Sequence, residues 1–122
     1  MFHEARGKTL RRMGRNEEAV AAFTKALEIH PEMIDARLIL GIVCVNTGDT
    51  AAAEQAFREV IRRAPAMHKG YAYLANLMRQ ENRPDEELEV LEAMFEQAAP
   101  PEQETLAFRQ EIQRLKQKLG QK

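Results

Sequence analysis

Five residues that shape backbone or packing return at one fixed interval. Gly7 recurs as Gly41, Gly14 as Gly48, Ala19 as Ala53, Phe23 as Phe57 and Pro31 as Pro65, each 34 residues on. A third copy follows with substitutions: Leu40 maps to Leu74, Gly41 to Ala75, Gly48 to Asn82, Phe57 to Leu91, Val60 to Met94 and Ile61 to Phe95. A period of this length makes each copy one supersecondary unit, which buries its apolar side by stacking on the next. It also resolves the stretch "LILGIVCV" (38–45), whose uncharged run is ambiguous between a buried strand and a helix that is apolar all round. The repetition makes it a helix.

The punctuation of the repeat has physical roles. Small residues at 7, 41 and 75, and at 19 and 53, let paired helices approach closely. Gly14, Gly48 and Asn82 suit the left-handed conformation that ends a helix, and Pro31 and Pro65 end the second helix of a pair. The expected helices are 2–13, 17–29, 34–46, 50–63, 67–80 and 84–97, with Pro84 in a first turn, where its missing N–H costs nothing. After the break Ala98-Ala99-Pro100-Pro101, a seventh helix over 102–119 carries one narrow apolar stripe, Phe108, Ile112, Leu115 and Leu119. It reads as a cap on the last repeat or as a short coiled-coil seam.

The pattern resembles the tetratricopeptide repeat, a helix–turn–helix unit of 34 residues with W-x2-L-G-x2-Y, then A-x3-F, then P. The matching stretches are His3-x2-Arg6-Gly7-x2-Leu10, Arg37-x2-Leu40-Gly41-x2-Cys44 and Tyr71-x2-Leu74-Ala75-x2-Met78. The A-x3-F pair is Ala19/Phe23, then Ala53/Phe57, then a degenerate Glu87/Leu91. The resemblance covers about residues 1–100. It implies one all-α domain over 1–122, a right-handed superhelical solenoid of three repeats (about 1–33, 34–67 and 68–100) closed by the 102–119 helix. Arg6 and His3 depart from the family's leucine and aromatic. Glu87 stands where a small residue is expected at a helix–helix contact, while Leu88, Leu91 and Phe95 keep the register.

Composition narrows the function classes. Apolar residues make up 44% of the 122 and charged residues 30%, with a net charge of −1, so no global field recruits nucleic acid. No apolar run approaches the roughly 18–20 residues of a membrane span. The segment "MFHEARGKTLRR" lacks the apolar core of a signal peptide. With a single cysteine, Cys44, a cytoplasmic setting is expected. No catalytic role is expected, and no cofactor or metal. His3, His30 and His68 are far apart, no metal-ligand spacing or phosphate loop is present, and the chain contains no serine. Cys44 falls at a core position. Asp85, Glu86, Glu89 and Glu92 are expected to point into solvent.

In the family, the first helix of each pair lines a concave face that holds a partner's peptide or helix. The residues that would reach it lie three or four apart. They include Lys8, Arg11 and Arg12 in the first repeat, Leu38, Ile39, Ile42 and Val45 in the second, and Tyr73, Asn76 and Arg79 in the third. The expected partner is a protein segment, extended or helical, apolar and flanked by acidic residues. Self-association into a homo-oligomer through the apolar second repeat is the alternative, as is an accessory role within a larger protein. Internal cover of the patch would leave no site. The family's carboxylate clamp would need Lys, Asn, Asn, Lys and Arg where this chain has Glu4, Lys8, Ile39, Lys69 and Tyr73. Only Lys69 matches, so that specificity is rejected. Residues 1–15 carry five bases and one acid, and residues 81–104 nine acids and one base. That polarity favours head-to-tail stacking, weakened by salt.

Overall fold

The computed structural model describes residues 2–120, with side chains from Gly14 to Gly120. Among the described residues there are six α-helices and no strand: α1 (Phe2–Ile29), α2 (Ile34–Thr47), α3 (Thr50–Arg63), α4 (His68–Gln80), α5 (Pro84–Gln97) and α6 (Glu102–Lys118). They fall into two compact units, Met1–Ala56 and Phe57–Lys122, with the boundary inside α3.

In the first unit α1 packs against α2. Pro31 lies in the connection, where the Arg37 guanidinium donates to its carbonyl at 3.0 Å. Leu27 and Ala36 are buried at either side of the turn. The end of α2 is written twice over. Gly48 takes a left-handed φ of 84°, and the Thr47 hydroxyl and the Asp49 N–H both donate to the Cys44 carbonyl at 2.9 Å. Asp49 then starts α3, its carboxylate accepting from the Ala52 N–H at 3.2 Å.

One expected turn is absent. The spacing puts a break at Gly14, yet α1 runs through it as a single helix of 28 residues, about 42 Å long at 1.5 Å per residue. The flanks explain why. Gly48 is followed by a capping Asp49, and Asn82 by Pro84, whereas Gly14 is followed by Arg15, Asn16 and Glu17. Arg15 and Glu17 supply no cap and no proline follows, and Asn16, itself able to cap a helix, is carried inside α1. A glycine inside a helix costs only about 1 kcal/mol relative to alanine, which does not force a turn. The burial follows suit: Ala53 and Phe57 are fully buried, while their first-repeat equivalents Ala19 and Phe23 are only half-buried.

The second unit holds the end of α3 and helices α4, α5 and α6. α4 packs closely on α3 at Gly70, where a Cβ would sit 2.9 Å from Val60 Cγ1. The Tyr71 hydroxyl donates to the Pro65 carbonyl at 2.9 Å and ties the α3–α4 loop down. Asn82, at φ 55°, closes α4, and Pro84 opens α5. α5 packs on α4, and α6 packs on α5. The core is Phe57, Val60, Leu74, Leu77, Met78, Leu91, Met94 and Leu115, each no more than 2% exposed. Leu115 brings the α6 stripe into that core. Phe108, Ile112 and Leu119 beside it are half-buried.

Candidate partner-binding cleft

Along α4 two faces separate cleanly. Tyr71, Leu74, Ala75, Leu77 and Met78 are buried. Lys69, Tyr73 and Arg79 are exposed, and Ala72 and Asn76 half-exposed, on the other side, spaced three or four apart as one helical face requires. Across from this face stands α6, presenting Glu104, Phe108 and Glu111. Between the two helices lie two adjoining cavities. The outer one, about 320 Å³, is lined by His68, Lys69, Tyr73 and Glu104. The inner one, about 310 Å³, reaches Ala75, Glu87, Leu91 and Glu111. Ala72, Asn76, Arg79 and Phe108 line both.

Polar pairs span the cleft without closing it. His68 Nε2 lies 3.8 Å from Glu104 Oε2, and Arg79 Nη1 lies 3.7 Å from Glu111 Oε2. Arg79 Nη2 also donates to Asn76 Oδ1 at 2.6 Å, and Arg114 Nε donates to Glu111 Oε1 at 2.8 Å. The Tyr73 ring stacks on the buried Phe57 ring, with centroids 5.7 Å apart and planes 16° from parallel. That contact fixes an otherwise exposed aromatic at the rim.

Glu87 is the unusual group. It is 3% exposed and faces the inner cavity from α5. Where the repeat pattern has a small residue, this longer side chain stands beneath the space between α4 and α6. Burial pushes its carboxyl above the usual range and the Glu111 charge adds to this, while Arg79, Arg114 and Lys118 pull it back. The folded protein therefore holds the Glu87 proton more tightly than the unfolded chain. Its contribution to stability falls as pH rises through the unfolded carboxylate pKa of about 4.3 and on toward the folded value. Glu87→Gln is expected to raise the melting temperature at pH 7 and to leave it unchanged near pH 3, as scanning calorimetry at the two pH values would show. An equal gain at both would mean the charge is not the cause.

The residues expected at a partner face divide three ways. Tyr73, Asn76 and Arg79 come together in the cleft. The side chains of Lys8, Arg11 and Arg12 lie outside the described residues. On α2, Ile39 is 43% exposed, and Ile42 and Val45 are half-buried. Leu38 is a correction: at 7% exposed it presents no surface to a partner. It stands three residues before Gly41, about 60° around the helix from it at 3.6 residues per turn, and so shares the buried side. Ile39, one residue on, turns outward. Sequence reasoning missed the opposite wall of the cleft, because it offered α6 only as a cap on the last repeat or a coiled-coil seam. Its charge spacing was the available signal: Glu104, Phe108 and Glu111 recur at four and three residues on a side adjacent to the Leu115 stripe.

Among the described residues no group of three or more His, Cys, Asp and Glu side chains is placed to hold a metal ion. No described helix is long and apolar enough to cross a membrane. A family model described as tetratricopeptide repeat matches residues 4–68 and 45–102. A stretch of 42 residues, 34% of the chain, is 45% identical to a peroxisomal targeting signal receptor of Candida albicans. The match spans 7% of that receptor's length.

Proposed function

Since the chain belongs to the tetratricopeptide repeat family, we propose that it is a protein-interaction module that holds a partner's peptide or helix against the first helices of its repeats. The observation that carries this reading is the α4/α6 cleft, where Asn76 and Arg79 share one cavity with Tyr73, the aromatic held at its rim. On α2, Ile39, Ile42 and Val45 supply an apolar stripe that is partly open to solvent. Lys8, Arg11 and Arg12 would add a basic flank. The partner is a segment with apolar residues and acidic flanks. The Candida albicans relative is by its name a receptor for a peroxisomal targeting signal, which accords with a protein segment as partner. A reducing, cytoplasmic setting accords with the buried free thiol of Cys44.

Ile42 tests the reading. At a half-buried position Ile42→Glu keeps its carboxylate within reach of water, so folding is expected to shift by only about 1 kcal/mol. Capture of the partner is expected to fail, because the added charge would be desolvated beneath it. Thermal melting and pull-down with the tagged chain measure the two. Normal melting with normal capture would move the binding face off α2, and collapse of the fold would make the stripe interior.

A further inference from the structure

We propose that the inner cleft of the second unit is a receptor for one basic side chain, a lysine ammonium or an arginine guanidinium, whose head pairs with Glu87 while its methylene stem lies along Leu91 and Phe108. The proposal deepens the interaction-module reading and rests on it for the source of the side chain, which is one basic residue carried by the bound segment between its acidic flanks.

Three observations converge. Glu87 is 97% buried by its exposure of 3%, yet it has no hydrogen-bond partner among the described residues. The neighbouring cations are turned elsewhere: Arg79 to Asn76 and Glu111, and Arg114 to Glu111. They reach Glu87 only through longer-range attraction, together with Lys118, against repulsion from Glu111. A buried carboxylate left in this state costs free energy that a paired cation restores. The space in front of it, about 310 Å³, far exceeds the roughly 30 Å³ of one water. Asn76, Arg79 and Glu111 also line it, and Ala72, Ala75, Leu91, Ala107 and Phe108 form its apolar walls. That lining suits the stem of a side chain that carries its charge at the tip. A neutral apolar ligand would leave Glu87 unpaired, and an anionic one would meet two carboxylates against the one guanidinium of Arg79, which is already turned to Asn76 and Glu111.

The test uses the chain alone with small probes: N-acetyl-lysine methylamide, N-acetyl-arginine methylamide and the neutral N-acetyl-norleucine methylamide. Each is titrated to about ten times the ~1 mM dissociation constant expected for a fragment of this size. Amide shifts are followed by NMR. A basic probe is expected to shift resonances across 72–79, 87–91 and 107–111. The norleucine probe is expected to leave them in place. Glu87→Gln is expected to weaken the basic probe at least tenfold, with an unchanged or higher melting temperature at pH 7. Glu89→Gln, at an exposed position on the same helix, is expected to bind as the wild type does. Equal shifts from norleucine, no shifts from either basic probe, or full binding by Glu87→Gln would overturn the proposal. So would lost binding joined to a lower melting temperature, since Glu87 would then serve the fold. Partner capture by Ile42→Glu is a separate readout, so a failed cleft and a failed module are told apart.

Discussion

Replacing Phe57 with alanine lowers the unfolding free energy by about 3–5 kcal/mol, the range for a phenylalanine removed from a packed core. The ring is fully buried and stacks on Tyr73. The substitution therefore empties a core site and also frees a side chain that lines the cleft. Chemical denaturation should show the loss as a lower midpoint at an unchanged slope. A loss under about 1 kcal/mol would contradict the packing described. Tyr73→Ala serves as the companion variant. It leaves Phe57 in place and, at 39% exposed, should cost far less. Partner binding that falls in both variants, while only Phe57→Ala melts early, would separate the ring's two duties.

The second large effect concerns α6. Ending the chain at Ala99 removes Leu115, which is fully buried, and the Arg109 guanidinium that sits 4.8 Å over the Phe95 ring. It also takes away the Lys116–Glu92 pair and one whole wall of the cleft. Leu115→Ala alone is expected to cost about 2–5 kcal/mol, and the truncation more than that. The apolar side of α5 around Leu91 and Phe95 would then meet water, which favours aggregation over a soluble monomer. Sedimentation velocity and thermal melting of the shortened chain check this. A monomer with unchanged melting would make α6 dispensable.

Much of this architecture is legible in the residues. Five of the six helices begin and end within two residues of where the sequence puts them, α2 to α5 by the 34-residue recurrence and α6 by the break at Pro100-Pro101 and its apolar stripe. Their ends carry specific chemistry: Pro31 and Pro65, Gly48 with Thr47 and Asp49, and Asn82 with Pro84. The exception is instructive. Gly14 matches Gly48 by position, but a turn is made by the residues that flank it, and Arg15 supplies none of the hydrogen bonding of Asp49. Leu38 was misjudged for a related reason. On a helix whose residues are apolar on every side, spacing alone does not say which stripe faces inward, and the angle to Gly41 had to decide it. The cleft was half visible. Tyr73, Asn76 and Arg79 follow from helical spacing on α4. Glu87 showed only as a departure from the small residue expected there. That its carboxyl stands beneath a cavity depends on where α6 passes, which no local pattern contains.

The lone cysteine offers a clock for the first unit. Cys44 is 3% exposed on α2, and burial together with the Asp49 charge pushes its thiol pKa up. Alkylating reagents attack the thiolate, so the folded protein resists them on two counts. Labelling proceeds only when α2 opens, and its rate divided by that of the unfolded thiol gives the equilibrium constant for the opening when reclosing is fast. Because Cys44 and Phe57 belong to different units, the same clock run in Phe57→Ala measures how far a wound in one unit is felt in the other. An unchanged rate would show that α2 opens on its own. A rate that climbs in proportion to the lost stability would show the two units unfolding as one.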